Sequence, residues 1–287
     1  MLNHKANNIL EREKEMKEII TDSIIDALKL IPFLFISFVI MELIEHKFTN
    51  KNKLSNINKF GPLAGASLGI IPQCGFSALA SNLYAARVIT LGTLFSIYLS
   101  TSDEMLPILI SNQASSKEML LIILTKFSLG FIFGLLVDFI YRKKKNKIEI
   151  KHLCEEEHCH CEEGIIKSSL IHTAKITFFI LIINIFLNSI IDKNLITNFT
   201  ENNKILSPIL TSIIGLIPNC ASSVIITELY LEKVITFGSC IAGLLSGSGV
   251  GLLVLFKQNK NLKENIFILL TLITFSSICG IILNFLY

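Results

Sequence analysis

Two apolar stretches of the sequence contain the same unusual series of residue types. Residues 69–77 read GIIPQCGFS, and residues 215–223 read GLIPNCASS. A proline inside a helix breaks it and frees backbone carbonyl oxygens, and here those oxygens would lie beside carboxamide, thiol and hydroxyl groups. Such oxygen and sulfur atoms can hold an ion that has lost its water, which makes both stretches candidate ion sites. The residues concerned are Pro72, Gln73, Cys74 and Ser77 in the first stretch, and Pro218, Asn219, Cys220, Ser222 and Ser223 in the second.

A simpler explanation exists for each stretch taken alone. Proline kinks a helix, and cysteine packs well as a small hydrophobic residue. The recurrence of the whole series, together with its polar neighbours, favours the ion site over this explanation.

A pair of carboxylates lies in a third apolar stretch. Residues 99–107 read LSTSDEMLP, so Asp103 and Glu104 fall past the middle of that segment. Carboxylates inside a membrane segment are energetically unfavourable and usually mark ion paths or proton relays. We therefore expect this pair to carry ions or protons, unless the segment ends early and the pair lies in headgroup water. The later stretch LSGSGVGLL has Gly247 and Gly249 instead, which are candidate backbone breaks where a backbone or a substrate can approach closely.

A dense group of metal ligands lies between apolar segments, where residues 152–164 read HLCEEEHCHCEEG. Imidazole and thiolate suit zinc, copper(I) and other soft metals, and the surrounding glutamates attract cations. The spacing is not that of a zinc finger, which favours a flexible loop that captures or senses metal over a rigid structural site. A loop that is merely solvated is the alternative. The ligands are His152, Cys154, His158, Cys159, His160 and Cys161.

A weaker signal is the sequence MELIEHK at residues 41–47. Glu42, Glu45 and His46 share one face of a helix by their spacing of three and four residues. They form a secondary candidate site, although a solvated helix end is the favoured explanation.

The composition places these candidates in a membrane. Of the 287 residues, 51% are hydrophobic and 17% are charged, and several apolar runs exceed the roughly 18 to 20 residues that cross a bilayer. We therefore predict an all-α polytopic protein of the cell membrane. Residues 1–22 mix charged and apolar residues in a way that predicts an interfacial helix and not a signal peptide. The eight predicted apolar segments are 23–46, 61–83, 88–112, 119–141, 169–192, 207–229, 234–257 and 265–287.

The two proline–cysteine stretches belong to a tandem duplication. Cys74 and Cys220 differ by 146 positions, and the same offset pairs prolines, glycines and a Val-Ile-Thr triplet without a gap. Matches of proline, cysteine and glycine at one offset are rare by chance. The predicted domains are the N-terminal interfacial helix 1–22, a first transmembrane repeat 23–141, a basic and His/Cys-rich linker 142–168 and a second transmembrane repeat 169–287.

The placement of lysines predicts how the two repeats cross the membrane. If all four segments of a repeat crossed, the lysines within 47–59 and 257–263 would lie opposite the basic run 142–147, against the positive-inside tendency. If the proline–cysteine segment instead enters and leaves by one face, each repeat crosses three times and these charges share the cytoplasmic side. The repeats are then inverted, with their two re-entrant hairpins meeting near the midplane. The linker 142–168 is cytoplasmic in this arrangement.

Several blocks of the sequence resemble one family of membrane proteins. The blocks are ELIEHK, residues 60–108 with their GIIPQCGFS and LSTSDEMLP motifs, LIPNCASSVIITELYLEKVITFG and LLSGSGVGLLVLF. They are similar to heavy-metal exporters of about ten transmembrane helices, whose members are named as arsenic efflux proteins or manganese transporters. The resemblance covers essentially the whole chain and implies export of a metal or metalloid ion. Counting each hairpin as two short helices gives the family's number of helices.

An exporter accounts for the duplication, the two breaks, the acidic pair and the linker together. His-Glu-x-x-His and a Cys-x-x-Cys in a membrane segment are not in the sequence, so we do not expect an enzyme; an intramembrane enzyme or a non-transporting membrane protein is the alternative. The sequence has no Walker A motif, which favours secondary active transport.

Ligand chemistry limits the range of candidate ions but does not select one. Thiols favour trivalent arsenic, zinc and cadmium, whereas carboxylates and carboxamides keep manganese, or another divalent cation bound through oxygen, as the alternative. The expected partners are the lipid bilayer, the exported ion, protons as coupling ion and, as one option, a second copy in a homodimer. No nucleic acid is expected, and no cofactor apart from a metal bound at the linker.

Overall fold

The structure, a computed structural model, consists of helices and the turns between them throughout its described residues. These are residues 60–71, 74–101, 105–141, 165–190, 204–218 and 220–286, with isolated helical positions between 21 and 39. The helices are α1 (Gly61–Gly69), α2 (Cys74–Ala85), α3 (Leu91–Ser100), α4 (Met105–Ser111), α5 (Ser116–Tyr141), α6 (Ile165–Ile190), α7 (Leu206–Gly215), α8 (Cys220–Leu231), α9 (Phe237–Ser246), α10 (Gly251–Gln258) and α11 (Leu262–Leu286).

The predicted apolar segments take two forms in the structure. Three of them are the long helices α5, α6 and α11, with 26, 26 and 25 residues. The others from residue 60 onward are each divided into two short helices, as α1–α2, α3–α4, α7–α8 and α9–α10. Within the described part of the chain, three stretches are long and apolar enough to cross a membrane, namely Ser116–Tyr141, Phe237–Gln258 and Leu262–Leu286. The prediction of an all-helical fold is therefore confirmed for the described residues, and the long apolar helices are consistent with a membrane protein.

Small residues set the direction in which α1 packs on α3. A β-carbon at Gly65 would lie 3.0 Å from the Thr93 carbonyl oxygen, and one at Gly69 would lie 2.8 Å from the Ile97 carbonyl oxygen. A step of four residues along α1 thus matches a step of four residues in the same direction along α3. The two helices run parallel, with their backbones in close contact.

α5 lies antiparallel to α3 along a second glycine contact. A β-carbon at Gly134 would lie 2.5 Å from the Gly92 carbonyl oxygen. One turn later in α5, the Asp138 carboxylate accepts hydrogen bonds of 2.7 Å from Thr90 Oγ1 and 2.9 Å from the Gly92 amide. These bonds satisfy donors at the start of α3, where the helix itself offers no partner.

The second half repeats these contacts at the offset of 146. At the start of α9, Thr236 Oγ1 donates to Asn284 Oδ1 over 2.6 Å, as the Thr–Asp pair does in the first half. A β-carbon at Gly280 would lie 2.6 Å from the Gly238 carbonyl oxygen. The relation between the halves therefore extends from sequence to individual side-chain contacts.

Each half also packs against the other through two equivalent pairs of helices. α2 of the first half lies along α10 of the second, and α8 of the second lies along α4 of the first. By the offset, α2 corresponds to α8 and α4 to α10. Aromatic rings add to this interface, because Phe133 of α5 stacks on Phe275 of α11 with ring centroids 3.9 Å apart. The buried interior is shared between the halves.

Replacing Gly134 with valine is expected to destabilise the protein. The new side chain would meet the Gly92 backbone and Ser96, so α5 would have to move away from α3, and overpacking of this kind costs about 1–3 kcal/mol. The measurement is the unfolding temperature of the purified protein in detergent. Leu136→Val, at a side chain that is 52% exposed on the same helix, is the control and should change that temperature little. Equal unfolding temperatures for the two variants would contradict the close contact.

Candidate transport site

Helix ends from both halves lie in one buried region, which we call the central layer. Gly69 at the end of α1 lies against Ser100 at the end of α3, where an added β-carbon would be 3.0 Å from Ser100 Cβ. In the second half, Gly215 at the end of α7 lies against Ser246 at the end of α9. Both serines are fully buried. The last turn of each helix leaves carbonyl oxygens without a partner inside the helix, so the layer is rich in acceptor oxygens.

α2 joins the two halves within the central layer. A β-carbon at Gly251 would lie 2.8 Å from Ser77 Cβ, so the first turn of α2 contacts the start of α10. Ser81 Oγ lies 2.7 Å from the carbonyl oxygens of Ser77 and Gly251 and 2.6 Å from the Tyr98 hydroxyl oxygen. Ser81 has one hydroxyl proton, which it donates to one of the two carbonyl oxygens. Because that proton is then used, Tyr98 donates its own hydroxyl proton to Ser81 Oγ. Ser77, which the sequence singled out, is therefore buried where α2 contacts the second half.

α8 carries the corresponding serines of the second half. Ser222 and Ser223 are 3% and 7% exposed, and Ser222 Oγ donates to the Ile217 carbonyl oxygen over 3.2 Å. Because Ile217 directly precedes Pro218, this bond connects the two sides of the division between α7 and α8. α8 packs on α4, the helix that follows the acidic pair in sequence. Hydroxyls predicted from the sequence are thus buried at the starts of both equivalent helices.

The division between α9 and α10 contains a buried hydroxyl oxygen that has no hydrogen-bond partner among the described residues. Gly247 caps α9, and Gly249 has a φ of 53°, a left-handed conformation that favours glycine. Ser248 between them is 1% exposed, and its hydroxyl has no hydrogen-bond partner among the residues that the structure describes. A buried polar group in this state is unfavourable unless water or an ion meets it. This hydroxyl was not predicted from the sequence, where only the glycines stand out.

A buried lysine places an amine in the central layer. Lys126 of α5 is 1% exposed, and its Nζ donates to the carbonyl oxygen of Thr101, directly after α3. Lys126 also interacts electrostatically with Cys240 of α9, which is fully buried. Lys126 was not predicted as a site residue, because a lone lysine in an apolar run does not reveal its partner. Its occurrence inside a predicted membrane segment was the available signal.

A charged cluster joins the halves at one end of the helices. Arg87, in the turn after α2, forms a bidentate ion pair with Glu264 at the start of α11, with both N–O distances 2.6 Å. Tyr84 donates a hydrogen bond to the same carboxylate. These hydrogen bonds from Arg87 to Glu264 raise the pKa of the guanidinium. At the corresponding positions of the other half, Tyr230 interacts electrostatically with Glu118.

Many of the predicted site residues lie outside the described residues, and their placement stays a prediction. Cys74 and Cys220 are the first residues of α2 and α8, and the positions of their thiols stay predictions too. Among the described residues, no group of three or more His, Cys, Asp or Glu side chains could hold a metal ion. The residues outside the description are Pro72, Gln73, Asp103, Glu104 and Asn219, then Glu42, Glu45 and His46, and the linker ligands His152, Cys154, His158, Cys159, His160 and Cys161.

Long apolar helices combined with short helices that end in a buried polar layer define an all-helical membrane protein. The model of the family described as "Putative, 10TM heavy-metal exporter" matches residues 15–192 and 174–287. The chain belongs to this family, and the resemblance inferred from its motifs is confirmed. Its class of function is membrane transport. Comparisons with curated proteins and with solved structures found no match.

Proposed function

We propose that the protein is a secondary active exporter of a heavy-metal or metalloid ion. The observation that carries this proposal is the central layer, where helices of both halves end among buried hydroxyl and carbonyl oxygens. Helix ends inside a membrane are tolerated only where protein or a water-filled cavity satisfies them. Transporters use such ends to hold ions that have lost their water.

Contacts at the ends of the helices support inverted repeats. If all four segments of each half crossed the membrane, Arg87 and Glu264 would lie on opposite faces, yet their side chains are 2.6 Å apart. The same holds for Tyr141 at the end of α5 and Phe267 near the start of α11, whose ring centroids are 6.2 Å apart. Both contacts agree with proline–cysteine segments that enter and leave by one face.

Helix directions support a re-entrant hairpin in each half. α1 runs parallel to α3 towards the central layer, and α2 ends in the short turn that leads into α3, so α2 brings the chain back to the level where α1 began. With 9 and 12 residues, α1 and α2 are each too short to cross a bilayer core of about 30 Å. α7 starts alongside α9 in the same way, since Thr211 Oγ1 donates to the Ser239 carbonyl oxygen over 2.7 Å.

The exported ion is proposed to be a soft one. Cys74 and Cys220 occupy the first positions of the two helices that start at the central layer, and thiolates favour trivalent arsenic, zinc and cadmium. Manganese is the second candidate, because the described polar groups of the layer are mainly hydroxyl and carbonyl oxygens, which this metal prefers.

The remaining sequence features take supporting roles in this proposal. Asp103 and Glu104 are the proposed proton carriers, because they follow Thr101, which lies in the central layer. The linker 142–168 is proposed to lie in the cytoplasm and to capture metal there before export. It lies outside both repeats, so it would tune transport without forming the pathway.

Cells that produce the protein are expected to accumulate severalfold less of the exported ion and to grow at higher concentrations of it. The measurement compares cells with and without the protein across arsenite, Zn²⁺, Cd²⁺ and Mn²⁺, with growth and total cell content of each ion as readouts. Mg²⁺, which demands hard oxygen ligands and keeps its water, is the control ion and should not change. Unchanged content of all four ions, with the protein present in the membrane, would refute the proposed function.

A further inference from the structure

We propose that the Lys126 ammonium is a built-in counter-cation, which occupies the oxygen-lined end of α3 while the transporter is empty and is displaced when a metal ion binds. This inference rests on the proposed export function. Lys126 is then a positioning residue that allows the empty protein to return, and it is not a ligand of the metal.

Lys126 lies where a transported cation would find its oxygen ligands. It is ten residues beyond Ser116 in a helix of 26, which places it about 15 Å along the helix and near the middle of the bilayer core. At that depth it donates to the Thr101 carbonyl oxygen, at the C-cap of α3. An ammonium that is 1% exposed is unfavourable unless oxygen atoms replace its water. Carbonyls at the end of a broken helix are also the groups that hold ions in transporters.

The second half shows that the fold does not need a charge at this position. At the offset of 146, the counterpart of Lys126 is Leu272, which is fully buried in α11. Taking a charge out of water is costly, so a buried charge is weak evidence for a stabilising role. The helix that carries Lys126, α5, packs on α9 of the other half, where Cys240 is fully buried. We therefore infer that the charge of Lys126 serves a function that is specific to the first half.

Metal ion and ammonium exclude each other at these oxygens. Like charges repel strongly in a medium of low dielectric constant, so binding of the metal displaces Lys126, and release of the metal lets it return. While the empty protein changes conformation, the Lys126 ammonium stays paired with these carbonyl oxygens. They are then not left without a partner in the membrane interior, which would be unfavourable. Without the amine, the loaded protein still changes state, but the empty protein returns slowly.

The test measures net efflux and exchange separately in proteoliposomes, with radiolabelled Zn²⁺ and, in a parallel set, radiolabelled Mn²⁺. Net efflux needs the empty protein to return, whereas exchange between equal concentrations on both sides needs only the loaded protein to move. Lys126→Met is expected to keep exchange within about twofold of the unaltered protein while net efflux falls about tenfold or more. Lys126→Gln, which keeps a donor for Thr101 but lacks the charge, is expected to show the same split.

The control Leu272→Met introduces the same side chain at the equivalent position and should leave both fluxes unchanged. Equal loss of efflux and exchange in Lys126→Met, with protein that stays monodisperse in detergent, would overturn the inference, and so would unchanged efflux. Restored efflux in Lys126→Gln would assign the effect to the hydrogen bond and overturn the role of the charge. Absence of both fluxes of Zn²⁺ and of Mn²⁺ in the unaltered protein would instead refute export of these two cations, and this inference with it.

Discussion

Changing Asp103 to asparagine and Glu104 to glutamine together is expected to abolish proton-coupled metal export. Both changes keep the size of the side chain and its hydrogen-bonding oxygen, but they remove the group that binds and releases a proton. Of the described residues that flank this pair in sequence, Thr101 is 2% exposed and Met105 is fully buried, so we propose that the pair lies inside the membrane. Carboxylates at that depth are unfavourable unless a proton, an ion or a partner charge neutralises them. The measurement is metal flux and internal pH in proteoliposomes under an imposed pH gradient.

The control for this pair is Glu232→Gln, at an exposed carboxylate directly after α8. This variant should transport as the unaltered protein does, because water solvates its side chain. Each single change, Asp103→Asn and Glu104→Gln, then shows which carboxylate carries the proton. Proton-coupled flux that persists in the double variant would contradict the assigned role.

Local sterics made part of the fold predictable from the sequence. Proline and glycine disturb helices through their own backbone geometry, so the series around Pro72, Pro218 and Gly247 indicated where segments divide. Helices do end and begin on either side of these places. The division between α3 and α4 was not predicted, because Thr-Ser-Asp-Glu contains no strong helix breaker and residues 88–112 read as one apolar segment. Lys126, from another helix, stabilises this division by donating to the Thr101 carbonyl oxygen.

The contacts between the halves could not be predicted from one sequence. The offset of 146 shows that α2 and α8 are equivalent, but it does not show which helix of the other half each one meets. Arg87 and Glu264 are 177 residues apart, and their residue types fit many partners. The buried hydroxyl of Ser248 could not be predicted either. A serine hydroxyl finds a hydrogen-bond partner in most surroundings, and only the tertiary packing leaves this one buried without a described partner.

Serine in place of Cys74 or Cys220 is expected to weaken export of arsenite, Zn²⁺ and Cd²⁺ selectively. The apparent affinity for these ions should fall about tenfold or more, which corresponds to ~1.4 kcal/mol of binding free energy, while the affinity for Mn²⁺ should change little. Serine keeps the size of the side chain and offers oxygen, but it removes the soft sulfur ligand. The two cysteines begin the helices that start at the central layer, and inverted repeats would relate them by a pseudo-twofold axis in the membrane plane. The measurement is the rate of export against ion concentration for each variant.

Cys279→Ser is the control, because Cys279 is 8% exposed in α11 beside Gly280, which contacts the start of α9 and not its end at the central layer. If Cys74 and Cys220 only pack, their replacement should affect soft and hard ions alike, through stability. The shared site has a second test that does not depend on the ion. In a protein with every other cysteine replaced, a short thiol-to-thiol crosslinker should join Cys74 to Cys220 and stop transport. No crosslink in a protein that still transports would show that the two thiols do not share a central site.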